Sequence, residues 1–224
     1  RSLRFVCKEV RLRVATANTR PPRRDGDYVL YWMTGNRRAS RIFALERALE
    51  WCVRLDRPLV VLEGLRAGYR WASDRHHRFV LDGMRANARA FAGSGARYVP
   101  YVEPEPGAGR GLLEAAAQRA CVVVADDVPA FFLPRMVRAA AAKLGVLLET
   151  VDSNGLLPLA ATSESFPTAY AFRRFLQRTL SAHLPHAPRE RPFEDLDLPA
   201  AVDLAPAVRR RWPEADEDLL AGSP

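Results

Sequence analysis

Hydrophobic residues in this chain fall into short continuous runs, separated by stretches in which they recur every three or four positions. Tyr28-Val-Leu-Tyr-Trp-Met33 is one such run, free of Gly and Pro, with Pro21, Pro22, Asp25 and Gly26 punctuating its approach. It reads as a strand buried on both faces. After the polar turn Thr34-Gly-Asn-Arg-Arg38, residues Ile42, Phe43, Leu45, Leu49, Cys52 and Leu55 recur at helical spacing. Pro58 stops that helix, and Leu59-Val-Val-Leu62 opens a second buried strand that ends at Glu63-Gly64. The three pieces predict a right-handed βαβ unit, the seed of a parallel sheet.

The pattern continues. Ser73 or Asp74 is placed to cap a helix carrying Phe79, Val80, Met84, Ala88 and Phe91, which Gly93 and Gly95 end. Arg97-Tyr-Val-Pro-Tyr-Val102 predicts a third strand, and Pro100 assigns it to a sheet edge or a bend. A helix is expected from about Leu112, a fourth strand over Ala120-Cys-Val-Val-Val-Ala125, a helix from Pro129 to Gly145, and a fifth strand over Val146 to Val151. Strands alternating with helices specify an α/β fold: a doubly wound, Rossmann-like, five-stranded parallel sheet with helices on both faces. We expect a basic arm over residues 1–24, the α/β domain over 25–160, and a helix plus extended linker over 161–224. The helix is expected between Ser165 and Leu184; the remainder is rich in Pro and acidic groups, with too few apolar residues for a core of its own.

Composition narrows the class. At 224 residues there is material for one good α/β core and a modest tail. No apolar stretch reaches the roughly 18 residues of a membrane span, so no membrane partner is expected. Cys7, Cys52 and Cys121 are scattered and form no CxxC pair, which makes a reducing, cytoplasmic setting the default. The chain opens on Arg1, as expected of a partial or trimmed product. Net charge is +8, carried almost entirely by arginine, since Lys8 and Lys143 are the only lysines. That balance suits a polyanion and equally suits a GC-rich coding sequence. In the arm, Arg11, Arg13, Arg20, Arg23 and Arg24 either contact a polyanion or form a solvated edge.

Ligands of open parallel sheets bind beyond the carboxyl ends of the strands. Those ends supply Trp32, Met33, Thr34, Glu63, Gly64, Asp126, Asp127, Asp152, Ser153 and Asn154. Glu63 with Asp126 or Asp127 is open to two readings, acid/base or metal chemistry and local capping. No metal site is expected, because His76 and His77 lack further ligands at suitable spacing. Neither G-x-G-x-x-G nor a Walker phosphate loop is present, and no nucleophile elbow or Cys/His dyad appears, so no catalytic residue is assigned. Arg66-Ala-Gly-Tyr-Arg-Trp71 is a loop rich in aromatic and basic residues.

The order of the pieces adds a resemblance. Tyr31-Trp-Met33, Asn36-Arg-Arg38, Ala44-Leu45 and Pro58-Leu-Val-Val-Leu-Glu63 come first. Arg75-His-His-Arg-Phe79 with Gly83-Met84, Val123-Val-Ala-Asp-Asp127 and Phe132-Leu-Pro-Arg135 follow. Val151-Asp-Ser-Asn-Gly155 and Ala169-Tyr-Ala-Phe-Arg173 complete the set. In that order they resemble the opening of the DNA photolyase and cryptochrome family, nearest to the class II cyclobutane pyrimidine dimer photolyases.

The resemblance implies an N-terminal α/β domain preceding a helical domain that holds FAD and most of the DNA-binding surface. In the full-length family, light drives the splitting of pyrimidine dimers in damaged DNA. None of the flavin-binding positions falls within this chain, which alone is expected to be inactive. The implied partner is a helical FAD domain, in cis or as a separate chain. The α/β domain of the family can also hold an antenna chromophore (a deazaflavin, a folate or a flavin), which by resemblance would lie near Trp32, Met33, Glu63 and Asp126. One departure is Ile42, where the family usually has Asn or Asp. The alternative reading is a non-catalytic binding or interaction module derived from a photolyase; a nucleotide-binding protein of another family would lack its phosphate loop.

Overall fold

The computed structural model describes residues 8–222, so Cys7 lies outside the described residues. In chain order the elements are α1 (Lys8–Arg11), β1 (Val14–Thr16), β2 (Tyr28–Met33), α2 (Phe43–Leu55), β3 (Leu59–Leu65), α3 (Asp74–Phe91), β4 (Arg97–Val102), α4 (Leu112–Ala117), β5 (Ala120–Asp126), α5 (Leu133–Lys143), β6 (Leu148–Val151), α6 (Ala169–Thr179), α7 (Pro206–Arg211) and α8 (Glu217–Ala221). The sheet order is β1-β6-β5-β2-β3-β4. Strands β2 to β6 are mutually parallel, as expected, and β1 is added antiparallel to β6. The chain leaves β2 toward β3 and β4, then returns to β2's other side with β5, so the order reverses beside the most buried strands. That reversal is where a crevice opens in a doubly wound sheet.

Alternate residues of each strand feed two cores. Val29, Tyr31, Val61 and Val124 pack with α2 and Phe91 of α3; Leu30, Val60, Val123 and Ala125 pack with α4, α5 and the C-terminal segment. Pro100 sits on edge strand β4, where the missing N–H breaks no ladder. Ser73 caps α3 by accepting from the His76 amide.

Four details depart from the sequence reading. Val14 to Thr16 make a sixth strand, and Arg13 turns inward. Its guanidinium donates to the carbonyls of Asp152 (3.3 Å) and Leu156 (2.6 Å) and lies 4.2 Å from the Phe43 ring centroid. Helix α5 begins at Leu133, not Pro129: Pro134 sits in its first turn, where a missing N–H costs nothing. Helix α6 starts at Ala169, capped by Thr168 after Pro167, and none of its residues is buried.

The fourth concerns residues 199–222, which form no core of their own but complete the core of the sheet. Leu204, Val208 and Trp212 join the second core, while Ala215 and Leu220 pack on α3. The Ala215 amide donates to the Pro100 carbonyl (2.9 Å), which shields the edge strand. Arg97 pins the crossing by pairing with Asp203 and with Glu214 (2.6 Å).

On the opposite side Glu149 is buried and accepts two bonds from Arg47 (2.8 and 2.9 Å) and one from the Trp51 indole (2.8 Å). Removing one partner of such a group strands the others in low dielectric. Glu149→Ala is therefore expected to lower the unfolding free energy by about 3 kcal/mol or more. Urea denaturation checks this, and a loss below about 1 kcal/mol would show that the network contributes little.

Candidate functional site

At the carboxyl end of the sheet, beside the reversal, lies a cleft of about 610 Å3. Trp32 and Thr34 follow from β2, Leu62 from β3 and Tyr101 from β4; Leu113 of α4 and Phe132 before α5 close the far wall. A cavity of this size, with apolar and aromatic walls and few polar groups, is what a small organic ligand requires.

The loops that form the mouth are held by buried carboxylates, one near the end of each parallel strand except β2. Asp126 of β5 accepts the Tyr31 hydroxyl (2.9 Å) on one oxygen. Its other oxygen accepts the amides of Thr34 (2.9 Å), Gly35 (2.8 Å) and Asn36 (3.2 Å). Glu63 of β3 accepts from Tyr98 (2.6 Å), Asn87 (2.8 Å) and Arg37 (3.3 Å), and Arg37 also reaches the Gly64 carbonyl (2.7 Å). Glu103, just past β4, takes the amides of Ala67 (2.9 Å), Gly107 (3.0 Å) and Gly109 (3.0 Å). Asp152, just past β6, takes those of Asn154 (2.9 Å) and Leu159 (2.6 Å).

Of the four residues singled out from sequence, Trp32 and Met33 line the cleft. Glu63 and Asp126 lie beneath it with exposures of 0% and 1%. Their oxygens are occupied by the surrounding chain, so their arrangement favours capping over acid/base chemistry. Asp127 is half-buried; burial and then Asp152 raise its pKa. Among the described residues no three His, Cys, Asp or Glu side chains are gathered as metal ligands. Of the glycines before α4, Gly107 and Gly109 spend their amides on Glu103.

Sequence reasoning missed Arg37, Tyr98, Asn87 and Glu103, which build the mouth. Glu103 had one visible signal, an acid at a strand's end directly before a glycine-rich turn. Ile42 is buried at the start of α2 and supplies no cap; the Ala44 amide instead donates to Ser153 Oγ (3.3 Å). The polar group missing at Ile42 is replaced from the loop after β6.

The fit to a flat chromophore rests on three observations. Trp32, Tyr101 and Phe132 offer ring surface, and Arg66 and Arg110 add positive charge at the mouth. Thr34 Oγ1, on the cleft wall, is buried without a hydrogen-bond partner among the described residues. An orphan of this kind calls for a ligand group to satisfy it.

Comparison with known proteins agrees with this geometry. The deoxyribodipyrimidine photo-lyase of Methanothermobacter thermautotrophicus is 30% identical over 209 residues, which are 92% of this chain and 46% of that protein. In sequence and in fold this chain is similar to the N-terminal α/β domain of the photolyase and cryptochrome family. It spans about half the length (46%) of that curated photolyase. A bacterial class III photolyase from Agrobacterium tumefaciens shares the fold, with a TM-score of 0.54 at 18% identity over 80% of this chain and 37% of that one. No family model matches the chain. Among the described residues no helix is long and apolar enough to cross a membrane.

Buried phenols, two of them bonded to the carboxylate girdle, give this domain a pH signature. Burial raises the pKa of Tyr31 well above its usual value, with Asp126 adding to it, and burial then Glu63 do the same for Tyr98. Burial pushes Tyr28 up to about 12. Each phenol ionises near pH 10 in the unfolded chain and later in the folded one. The unfolded state therefore loses protons first. This stabilisation is complete below about pH 10 and is lost as pH rises toward the folded values. Tyrosinate absorbance should rise for these three only together with loss of circular dichroism. Ionisation of all the tyrosines at their ordinary pKa in the folded chain would contradict the buried network.

Proposed function

We propose that this chain is the light-harvesting half of a deoxyribodipyrimidine photolyase of the class II type, its cleft holding an antenna chromophore. The observation that carries the proposal is the preformed aromatic cleft at the strand-order reversal, with the orphaned Thr34 hydroxyl on its wall. The class II assignment is supported by the ordered motifs from Tyr31 to Arg173. In this reading residues 25–160 form the antenna domain, and 161–224 lead toward a helical domain that binds FAD and damaged DNA.

Trp32 and Met33 wall the chromophore site, and Tyr101 and Phe132 flank it. Thr34 Oγ1 is its free polar contact, and Arg66 and Arg110 favour an acidic tail on the ligand. Glu63 and Asp126 act one layer down, fixing Arg37 and the Thr34–Asn36 turn. When bound, the chromophore supplies absorption of light whose energy passes to the flavin. The chain's own part is to hold it flat and to exclude water.

Two measurements test this. Protein expressed from the complete reading frame, mixed with dimer-containing DNA, should restore the DNA under blue light and not in the dark. Absence of light-dependent repair contradicts the photolyase reading. Separately, titration of the chain with a flavin, a deazaflavin and a folate should give saturable binding of one of them, weakened by about tenfold on Trp32→Ala, as for loss of a stacking contact. Light-dependent repair without such binding would retain the photolyase reading and remove the antenna.

A further inference from the structure

At the lip of the cleft, the loop between β3 and α3 extends outward with rings and charges, of which Trp71, Arg70 and Arg75 lie off the cleft wall. Trp71 is 64% exposed and does not line the cleft; across the mouth, Phe131 stands at the cleft's lip and is 80% exposed. The two loops touch, since the Tyr69 and Phe132 rings lie 5.4 Å apart. Trp71 stands two residues from that contact and Phe131 one, so both rings belong to one rim.

This rim is built, not frayed. The Ala67 amide is held by Glu103 (2.9 Å), the Ala72 amide donates to the Tyr69 carbonyl (2.9 Å), and His76 Nδ1 lies 3.2 Å from the Trp71 carbonyl oxygen. Phe131 has a φ of 59°, in the left-handed region that a residue with a β-carbon disfavours. Such conformations persist where the surroundings impose them, and they gather at binding sites.

The charge is one-sided. From Arg66 to Arg75 there are three arginines against a single carboxylate, Asp74. Elsewhere Arg13, Arg37, Arg47, Arg78 and Arg97 are neutralised by carboxylates. Arg66, Arg70 and Arg75 make no ion pair among the described residues. Instead the Arg70 guanidinium lies 4.7 Å from the Trp71 ring centroid and that of Arg66 lies 5.7 Å from Phe132. Open ring faces beside unneutralised guanidinium groups match one chemistry: unpaired bases that stack and phosphates that neutralise.

We infer that this rim binds single-stranded nucleic acid, with bases stacked on Trp71 and Phe131 and phosphates on Arg66, Arg70 and Arg75. The contact shares Arg66 and Phe131 with the cleft's lip but requires no bound chromophore. It adds to the α/β domain a nucleic-acid surface of its own, where the family resemblance places most of that surface in the helical domain.

The test uses the 224-residue chain and a short fluorescent oligothymidylate, read by anisotropy and by quenching of tryptophan emission. Of the other tryptophans Trp51 and Trp212 are buried and Trp32 half-buried, so quenching at the surface reports Trp71. Saturable binding is expected, tighter than to a duplex of the same length. Trp71→Ala should weaken it about five- to hundredfold, as for loss of one stacked base. Arg70→Gln should reduce the salt slope by about 0.7, whereas Arg24→Gln, at the amino ends of the strands, removes the same charge without changing that slope. Both variants sit on the surface, and unchanged circular dichroism verifies their fold. No binding, equal affinity for duplex, a Trp71→Ala variant that binds as tightly, or preference for anionic vesicles would each overturn the inference.

Discussion

Burial of a carboxylate near the end of every parallel strand but the central one is the constraint on which the rest depends. A parallel sheet stops abruptly at its carboxyl edge, and the loops leaving it carry amides that have lost their ladder partners. Left unpaired in a buried mouth, each would cost on the order of 1–3 kcal/mol. Glu103, Asp126 and Asp152 gather these donors, while Glu63 holds Arg37, Asn87 and Tyr98 by their side chains. In exchange the carboxylates are removed from chemistry. Acids at the end of a doubly wound sheet would ordinarily be the first candidates for catalysis. In this chain they hold the loops, and the cleft walls carry mainly rings, arginines and hydroxyls.

The division explains what the sequence could and could not disclose. Continuous apolar runs such as Tyr28–Met33 and Arg97–Val102 are strands to the residue, because both faces must be dry and no other element satisfies that pattern at that length. Pro100 marks the edge and Ser73 the start of α3 for equally local reasons. By contrast β1 is three residues long, too short for any period to show, and its existence depends on β6 lying ready to receive it. Leu204, Val208 and Trp212 are too sparse to suggest a core; they are buried only because the sheet offers them a face. The site behaves the same way. Trp32 and Met33 follow from strand polarity, whereas Arg37, Asn87 and Tyr98 are brought to Glu63 from three separate elements.

Similarity to the photolyase and cryptochrome family is consistent with these particulars. Ile42 fills the core at the start of α2, and Ser153 accepts from that helix's Ala44 amide. The start of α2 is thus held from the loop after β6. The aromatic cleft and the outward rim share the loops that Glu103 fixes, so one buried acid sets the shape of both surfaces.

The most direct test of this account is amide hydrogen exchange on the chain without added ligand. Thr34, Gly35, Asn36, Ala67, Gly107 and Gly109 lie in loops, and without their carboxylate acceptors they would exchange as loops do. The account predicts strong protection at all six, approaching that of the central strands, with selective loss at Thr34, Gly35 and Asn36 in Asp126→Ala. Rapid exchange at these amides in the unmodified chain would contradict it, because the cleft would then be formed by its ligand and not by the buried carboxylates.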